Sequence, residues 1–393
     1  MTAVAHQALR IALERVRARP WEALVLSEPQ PVESLPTPAL LIDADAFERN
    51  LARMAAFLGE RGKGQRPHAK THKCPLIARR QLDAGAVGIC TAKVGEAAVM
   101  INAGIDRVLI TSPVTDADRA RLLVELACSA AGLQVVVDSR LGFERLRAAA
   151  DPAAPLGVLV DVDVAMGRTG NRHLDQIVAL ADSIAATEGL RFDGLQHYAG
   201  HLMHVEGHER RREKSLALWE SVAVIVRALE DRGLPPAVVT GGGTGTYDID
   251  CDVPVVTDLQ VGSYLFMDQE YRLIGGRSGP AFDDFEVALT VAATAISQPR
   301  EGTITVDAGF KAFASDTVRP VPLDLPDTEY RFAGDEHGVL LLGAPTQEPL
   351  LGTVQRFVTP HCDPTVNLYD WYWICRDGLA RELWPIAARG CSW

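Results

Sequence analysis

Leu156-Gly157-Val158-Leu159-Val160-Asp161-Val162-Asp163 is a short apolar, β-branched run, and the amphipathic stretch Leu174–Glu188 follows it. A run of this kind reads as a strand, and a strand followed by a helix reads as one unit of a parallel sheet. The same unit recurs on both sides. Further runs lie at Pro67–Lys70, Gly88–Ala92, Arg107–Thr111, Leu133–Asp138, Phe192–Ala199, Ala237–Gly241 and Asp258–Met267, with helical stretches such as Val94–Ala103, Asp116–Ala131 and His208–Arg232 between them. Eight β-then-α units predict a (β/α)8 TIM barrel. No G-x-G-x-x-G turn follows the early strands, which argues against an open doubly wound sheet.

The pattern changes near residue 285. Val287–Ala292, Thr303–Asp307, Gly338–Leu342 and Asp370–Arg376 are separated by Pro- and Gly-rich turns with little helical periodicity, which predicts a small antiparallel β domain. The early run Ala39–Asp43 is expected to pair with that C-terminal sheet. The division is therefore a barrel over 45–284 and a β domain built from 1–44 and 285–393.

Composition narrows the function. The 393-residue chain is 47% hydrophobic with a formal net charge of −12, which suits a globular protein and argues against nucleic acid or an anionic membrane surface as partner. No apolar stretch reaches membrane-spanning length. Seven dispersed cysteines, none in a C-x-x-C, read as reduced thiols, so a cytoplasmic enzyme acting on small molecules is expected.

In such a barrel the chemistry lies at the C-terminal ends of the strands. Lys70 ends the first run inside Arg66-Pro67-His68-Ala69-Lys70-Thr71-His72-Lys73, in a chain with 39 lysines and arginines of which only Lys63, Lys70, Lys73, Lys93, Lys214 and Lys311 are lysines. An amine at that place is a candidate for Schiff-base chemistry, which a guanidinium cannot perform. Arg168 lies beyond the Leu156–Asp163 run between two glycines, and Gln196 and Tyr198 share one face of the next strand. The run Gly241-Gly242-Gly243-Thr244-Gly245-Thr246 offers converging N–H groups and hydroxyls to a phosphate, with Gly262-Ser263-Tyr264 as a second set of donors. A Walker loop is excluded by the missing Gly-Lys-Ser/Thr ending.

Thr359-Pro360-His361-Cys362-Asp363-Pro364 is the other dense constellation. If extended, it projects His361 and Asp363 to one side, and imidazole plus carboxylate suits a divalent cation. Among His197, His201, His204 and His208, the loop residue His204 is the candidate acid/base. Asp335, Glu336 and His337 are expected near the mouth.

These motifs, RPHAKTHK, MGRTG, GGGTGT and HCDPTVNLYDWY, resemble the fold-type III pyridoxal-phosphate enzymes of the D-threonine aldolase and D-serine dehydratase group, which include relatives acting on 3-hydroxy-D-aspartate. The resemblance implies a cofactor lysine at Lys70 and an arginine near the pyridine nitrogen at Arg168. It also implies cofactor contacts from Gln196 and Tyr198, and a phosphate cup from Gly242, Gly243, Thr244, Gly262, Ser263 and Tyr264. A divalent metal at His361 and Asp363 is implied too, Mn²⁺ first with Mg²⁺, Co²⁺ or Zn²⁺ as alternatives. Dehydratases of the group typically show His-x-Cys at the metal, whereas the aldolases resemble the His-x-Asp found here. The implied activity is retro-aldol cleavage of a D-β-hydroxy-α-amino acid to glycine and an aldehyde by a homodimer. Dehydration of D-serine or 3-hydroxy-D-aspartate, or an aldolase specific for 3-hydroxy-D-aspartate, is the alternative.

Overall fold

The computed structural model of the chain describes residues 3–314, 317–343 and 350–393. Its strands in chain order begin with β1 (Leu24–Pro31) and β2 (Ala39–Asp43). Eight short strands follow: β3 (Gly64–Gln65), β4 (Ile89–Thr91), β5 (Val108–Ile110), β6 (Gln134–Val137), β7 (Leu156–Val162), β8 (Leu190–His197), β9 (Val238–Gly241) and β10 (Asp258–Leu259). All are parallel, in the order β3-β10-β9-β8-β7-β6-β5-β4. Past the end of β3 the backbone still pairs. Cys90 N–H donates to Pro67 O at 2.8 Å and Ala69 N–H to Cys90 O at 2.7 Å, which closes the sheet into a barrel.

Every residue of β7 is buried, as expected of a strand covered by side chains inside and helices outside. Some of the helices begin where a side chain meets free N–H groups. Asp43 accepts from Asp45 and Ala46 at the start of Ala44–Glu60, and Asp116 accepts from Arg119 at the start of Ala117–Ala127. Gly207, at φ +83°, turns the chain into the helix His208–Asp231. Among the described residues no helix is long and apolar enough to cross a membrane.

The remaining strands are β11 (Leu289–Arg300), β12 (Thr303–Val306), β13 (Val321–Pro322), β14 (Glu329–Phe332), β15 (Gly338–Leu341), β16 (Val354–Val358), β17 (Trp371–Arg376) and β18 (Leu379–Pro385). Together with β1 and β2 they form a ten-stranded sheet. β2 pairs antiparallel with β11 and parallel with β17, while β1 pairs with β18, so the early chain completes the late sheet. The sequence shows no clear signal for β14, β16 or β18. β14 alternates as Glu-Tyr-Arg-Phe but is only four residues long, and in β18 the adjacent Arg381 and Glu382 break the period of two.

Three local expectations fail. Lys70 does not sit on a strand, because the turn Ala69–His72 follows the last barrel pairing at His68. The eighth strand stops at Leu259, and Ser263–Leu265 forms a 3-10 helix instead. Cys362–Val366 is helical, not extended, with only its N-cap His361 in a β conformation. Pro364 fits there because the first turn of a helix does not need its missing N–H.

A candidate active site at the barrel mouth

The turn that presents Lys70 is fixed by its neighbours. His68 accepts from the Lys70 N–H at 3.3 Å and meets Thr111 Oγ1 at 3.1 Å, while His72 accepts from the Cys74 N–H at 3.1 Å. Burial holds both imidazoles neutral, His68 well below its ordinary pKa and His72 down to about 3. The flanking histidines of the motif are thus structural. Lys73, at φ +51°, is buried and ion-paired with Glu96, whose other oxygen accepts from the Ala92 and Lys93 N–H groups. Tyr372 of β17 donates to His72 O at 2.6 Å, which ties the sheet domain to this turn.

Lys70 Nζ lies 2.5 Å from Asp363 Oδ2, a contact spanning 293 residues of chain. Burial disfavours both charges, yet the pair overcomes it: Lys70 is raised above its usual range and Asp363 is held well below the carboxylate range by Lys70 and His361. Asp363 Oδ1 is buried without a well-aligned hydrogen-bond partner. Tyr198 and Arg168 are close enough to act on the Lys70 charge, and the Arg168 guanidinium carbon is 5.2 Å from the centre of the Tyr198 ring.

The other sequence-derived candidates divide into those at the mouth and those turned inward. Gln196 is buried and donates to Asp161 Oδ1 at 2.9 Å and to Thr111 O at 3.1 Å. Thr244 Oγ1 accepts from the Tyr264 N–H at 3.0 Å, so the two loops with glycines 242, 243 and 262 stand side by side. The Tyr264 phenol points away from the mouth into the core, where Gln65 and Gln81 donate to it at 2.5 and 3.2 Å. Only its backbone meets the glycine loop, because the 3-10 helix rotates the side chain inward. Ser263 is buried, its side chain hydrogen-bonded to Tyr271.

His204 lies in the loop after β8, with its Nε2 3.6 Å from Glu270 Oε2 and its ring centroid 4.9 Å from that of Tyr271. Burial is the largest influence on it and lowers its pKa below 6.5. The four-histidine cluster does not form. His197 packs edge-on against Trp219, His208 pairs with Asp248 at 2.8 Å, and His201 is exposed.

Glu270 and Asp268 were not singled out by the sequence. Glu270 Oε2 is 2.5 Å from His361 Nδ1, and Thr317 donates to Glu270 Oε1 at 2.6 Å. Asp268 is fully buried and accepts from the Cys362 N–H at 2.9 Å; burial pushes its pKa up to about 6. Burial opposes a charge on His361, but the Glu270 hydrogen bond and the carboxylates of Asp363 and Asp268 raise it to about 9. No one-dimensional spacing signals these acids, which lie some ninety residues before the motif they support.

Lys70, His204, Glu270, His361 and Asp363 line one cavity of about 1070 Å³, with Lys93, Leu273, Ile274, Ala314 and Val318 on its walls. Asp335 and Glu336 line a separate, smaller cavity with Asp307 and Lys311, so the expectation that they flank the mouth fails. Among the described residues no group of three or more His, Cys, Asp and Glu is arranged to hold a metal, which leaves the pair His361 and Asp363.

Residues 42–270 match the family model described as alanine racemase, N-terminal domain, and residues 288–375 match a serine dehydratase domain model. The chain is 38% identical to a D-threonine aldolase from Arthrobacter sp., over 92% of this chain and 95% of that protein. It is 36% identical to a 3-hydroxy-D-aspartate aldolase from Paracoccus denitrificans (strain Pd 1222), over 90% and 92% respectively. A crystal structure of D-threonine aldolase from Filomicrobium marinum superposes with a TM-score of 0.89 at 39% identity, covering 94% of this chain and 100% of that one.

Proposed function

We infer the function from kinship and geometry together: this chain belongs to the alanine racemase N-terminal domain family, in the branch of the D-threonine and 3-hydroxy-D-aspartate aldolases. We propose that it is a carbon–carbon lyase that cleaves D-β-hydroxy-α-amino acids of the D-threonine, D-allo-threonine and D-phenylserine type to glycine and an aldehyde. It would use pyridoxal phosphate and a divalent cation. The observation that carries this reading is the meeting of Lys70 and Asp363 at 2.5 Å, which brings a barrel-mouth amine and the His-x-Asp pair into one cavity.

The residues present fit both groups. A Cβ at Gly243 would come 2.6 Å from Met203 Sδ and one at Gly262 2.6 Å from Thr71 Oγ1, so only glycine lets these two loops pack this closely and bring their backbone N–H groups together. For the cation, Asp363 offers Oδ1, which has no well-aligned donor, and His361, held through Nδ1, presents Nε2 for coordination in exchange for its second proton. One nitrogen and one carboxylate oxygen suit Mn²⁺ and similar ions and leave positions for substrate.

Pyridoxal phosphate, when bound, supplies an electron sink for the pair released at Cα, and the cation supplies Lewis acidity at the β-hydroxyl. Lys70 Nζ would hold the cofactor covalently. Thr244 and the backbone of residues 242, 243, 262 and 263 would hold its phosphate, and Tyr198, Arg168 and Gln196 would surround its ring. His361 and Asp363 would hold the cation, and with it the substrate hydroxyl. His204, unprotonated at neutral pH because burial lowers its pKa, accepts the hydroxyl proton at a ring nitrogen. The electron pair left on oxygen when that proton departs forms the carbonyl, the Cα–Cβ pair passes to Cα as the aldehyde leaves, and a proton delivered to Cα completes glycine.

We place the functional division at 45–284 for the cofactor-binding barrel and at 1–44 with 285–393 for the metal-bearing domain, in a cytoplasmic homodimer. Product analysis tests the activity. With D-phenylserine and Mn²⁺ the expected products are benzaldehyde and glycine in equal amounts, whereas ammonia and a keto acid would establish dehydration instead.

A further inference from the structure

We propose that Glu270 is a positioning residue for the metal: it orients the His361 ring and fixes its tautomer, so that Nε2 faces the cation without Glu270 itself becoming a ligand. The inference rests on the reading of His361 and Asp363 as metal ligands. An ionised carboxylate only accepts hydrogen bonds, so the 2.5 Å contact between Glu270 Oε2 and His361 Nδ1 places the ring proton on Nδ1. Once a cation displaces the second proton that the surrounding carboxylates favour, the lone pair lies on Nε2, the atom a cation needs.

Glu270 is itself held on three sides. Thr317 donates to its other oxygen at 2.6 Å, and its own N–H donates to Pro360 O at 3.2 Å. The Gln269 N–H donates to Thr359 O at 3.0 Å, and Asp268 accepts from the Cys362 N–H at 2.9 Å. The helix Gln269–Arg272 that follows the barrel's last strand is therefore laced, backbone to backbone, onto the segment Thr359–Cys362. One carboxylate also faces both His361 and His204, at 2.5 and 3.6 Å, which sets the distance between metal ligand and candidate base.

The test is Mn²⁺ binding to the purified holoenzyme, read from the electron paramagnetic resonance signal of free Mn²⁺. Glu270→Ala is expected to weaken binding by roughly 10- to 100-fold, the usual loss for an outer-shell partner of a metal-bound histidine. Glu270→Gln, whose amide oxygen can still accept from Nδ1, is expected to stay within about fivefold of the parent by the same reasoning. The cofactor's visible absorption and the melting temperature, unchanged in Glu270→Gln, separate metal loss from misfolding. Parent-like Mn²⁺ affinity in Glu270→Ala overturns the inference. So does a Glu270→Gln variant as weak as Asp363→Asn, because that result makes Glu270 a direct ligand. If His361→Ala and Asp363→Asn both bind Mn²⁺ like the parent, the underlying metal reading fails instead.

Discussion

Arg211 is fully buried, yet its guanidinium reaches three separate loops of the mouth. Its Nε donates to Gly245 O at 2.6 Å, Nη1 to Val205 O at 2.7 Å and to Ile274 O at 3.1 Å, and Nη2 to Gly275 O at 2.8 Å. Those carbonyls belong to the glycine loop, to the residue after His204, and to the chain just beyond the helix that carries Glu270. Arg211→Lys keeps the charge but replaces a planar fork with a single nitrogen on a shorter reach. That nitrogen can serve two of the four carbonyls, so about two buried acceptors lose their partner. At ~1–3 kcal/mol for each unsatisfied group, the loss is roughly 2–6 kcal/mol. The loops of the proposed cofactor cradle and of His204 also lose their common anchor, and a misplacement near 1 Å lowers kcat/KM by roughly 100-fold. Urea denaturation and kcat/KM with a D-β-hydroxy amino acid measure both effects. The exposed neighbour is the control, with Arg212→Lys expected within about 0.5 kcal/mol of the parent. An Arg211→Lys variant that unfolds with Arg212→Lys and keeps kcat/KM within about twofold of it would refute the clamp.

Lys70→Arg preserves a cation opposite Asp363 but removes the amine, so visible cofactor absorption and turnover should both vanish while stability changes by less than about 1 kcal/mol; a coloured, active Lys70→Arg protein would exclude the lysine's covalent role. As the proposed base, His204 would work unprotonated, and its pKa is lowered, so kcat should hold at neutral pH and fall only as pH drops through a value below 6.5. His204→Gln should lose roughly 10²–10⁴-fold in kcat together with that acid limb, and an unaltered profile assigns the limb elsewhere. Gly194, at φ +147°, would place a Cβ 1.9 Å from Val238 O, so Gly194→Ala should part β8 from β9 and yield insoluble protein; soluble protein with parental activity would show that the strands shift freely there.

The barrel was legible because its signal is local. A buried strand such as β7 needs a continuous apolar run, and each covering helix needs its own amphipathic stripe, so both leave periodic marks on the chain. Lys70 and the glycine run were likewise legible from residue type at strand ends. Strands β14 and β18 were not, because four alternating residues are too few to mark a strand and adjacent charges break the alternation in β18. Glu270 and Arg211 escaped for another reason: a carboxylate after a strand and an arginine in a helix have many solvated counterparts, and only the fold makes these two singular.

The sequence alone thus determined which chemical groups the protein owns: one amine at the first strand end, a glycine cradle at the seventh, an imidazole and a carboxylate two residues apart near the C-terminal end. Tertiary structure decided which of them meet. Residues 70 and 363 touch because β2 joins the late sheet and the Glu270 segment laces that sheet to the barrel rim. It also turned the Tyr264 phenol inward, and it set His361 and Asp363 on a β-to-helix corner instead of a strand. Side-chain direction and long-range contact depend on backbone geometry summed over hundreds of residues, and no spacing along the chain records that sum.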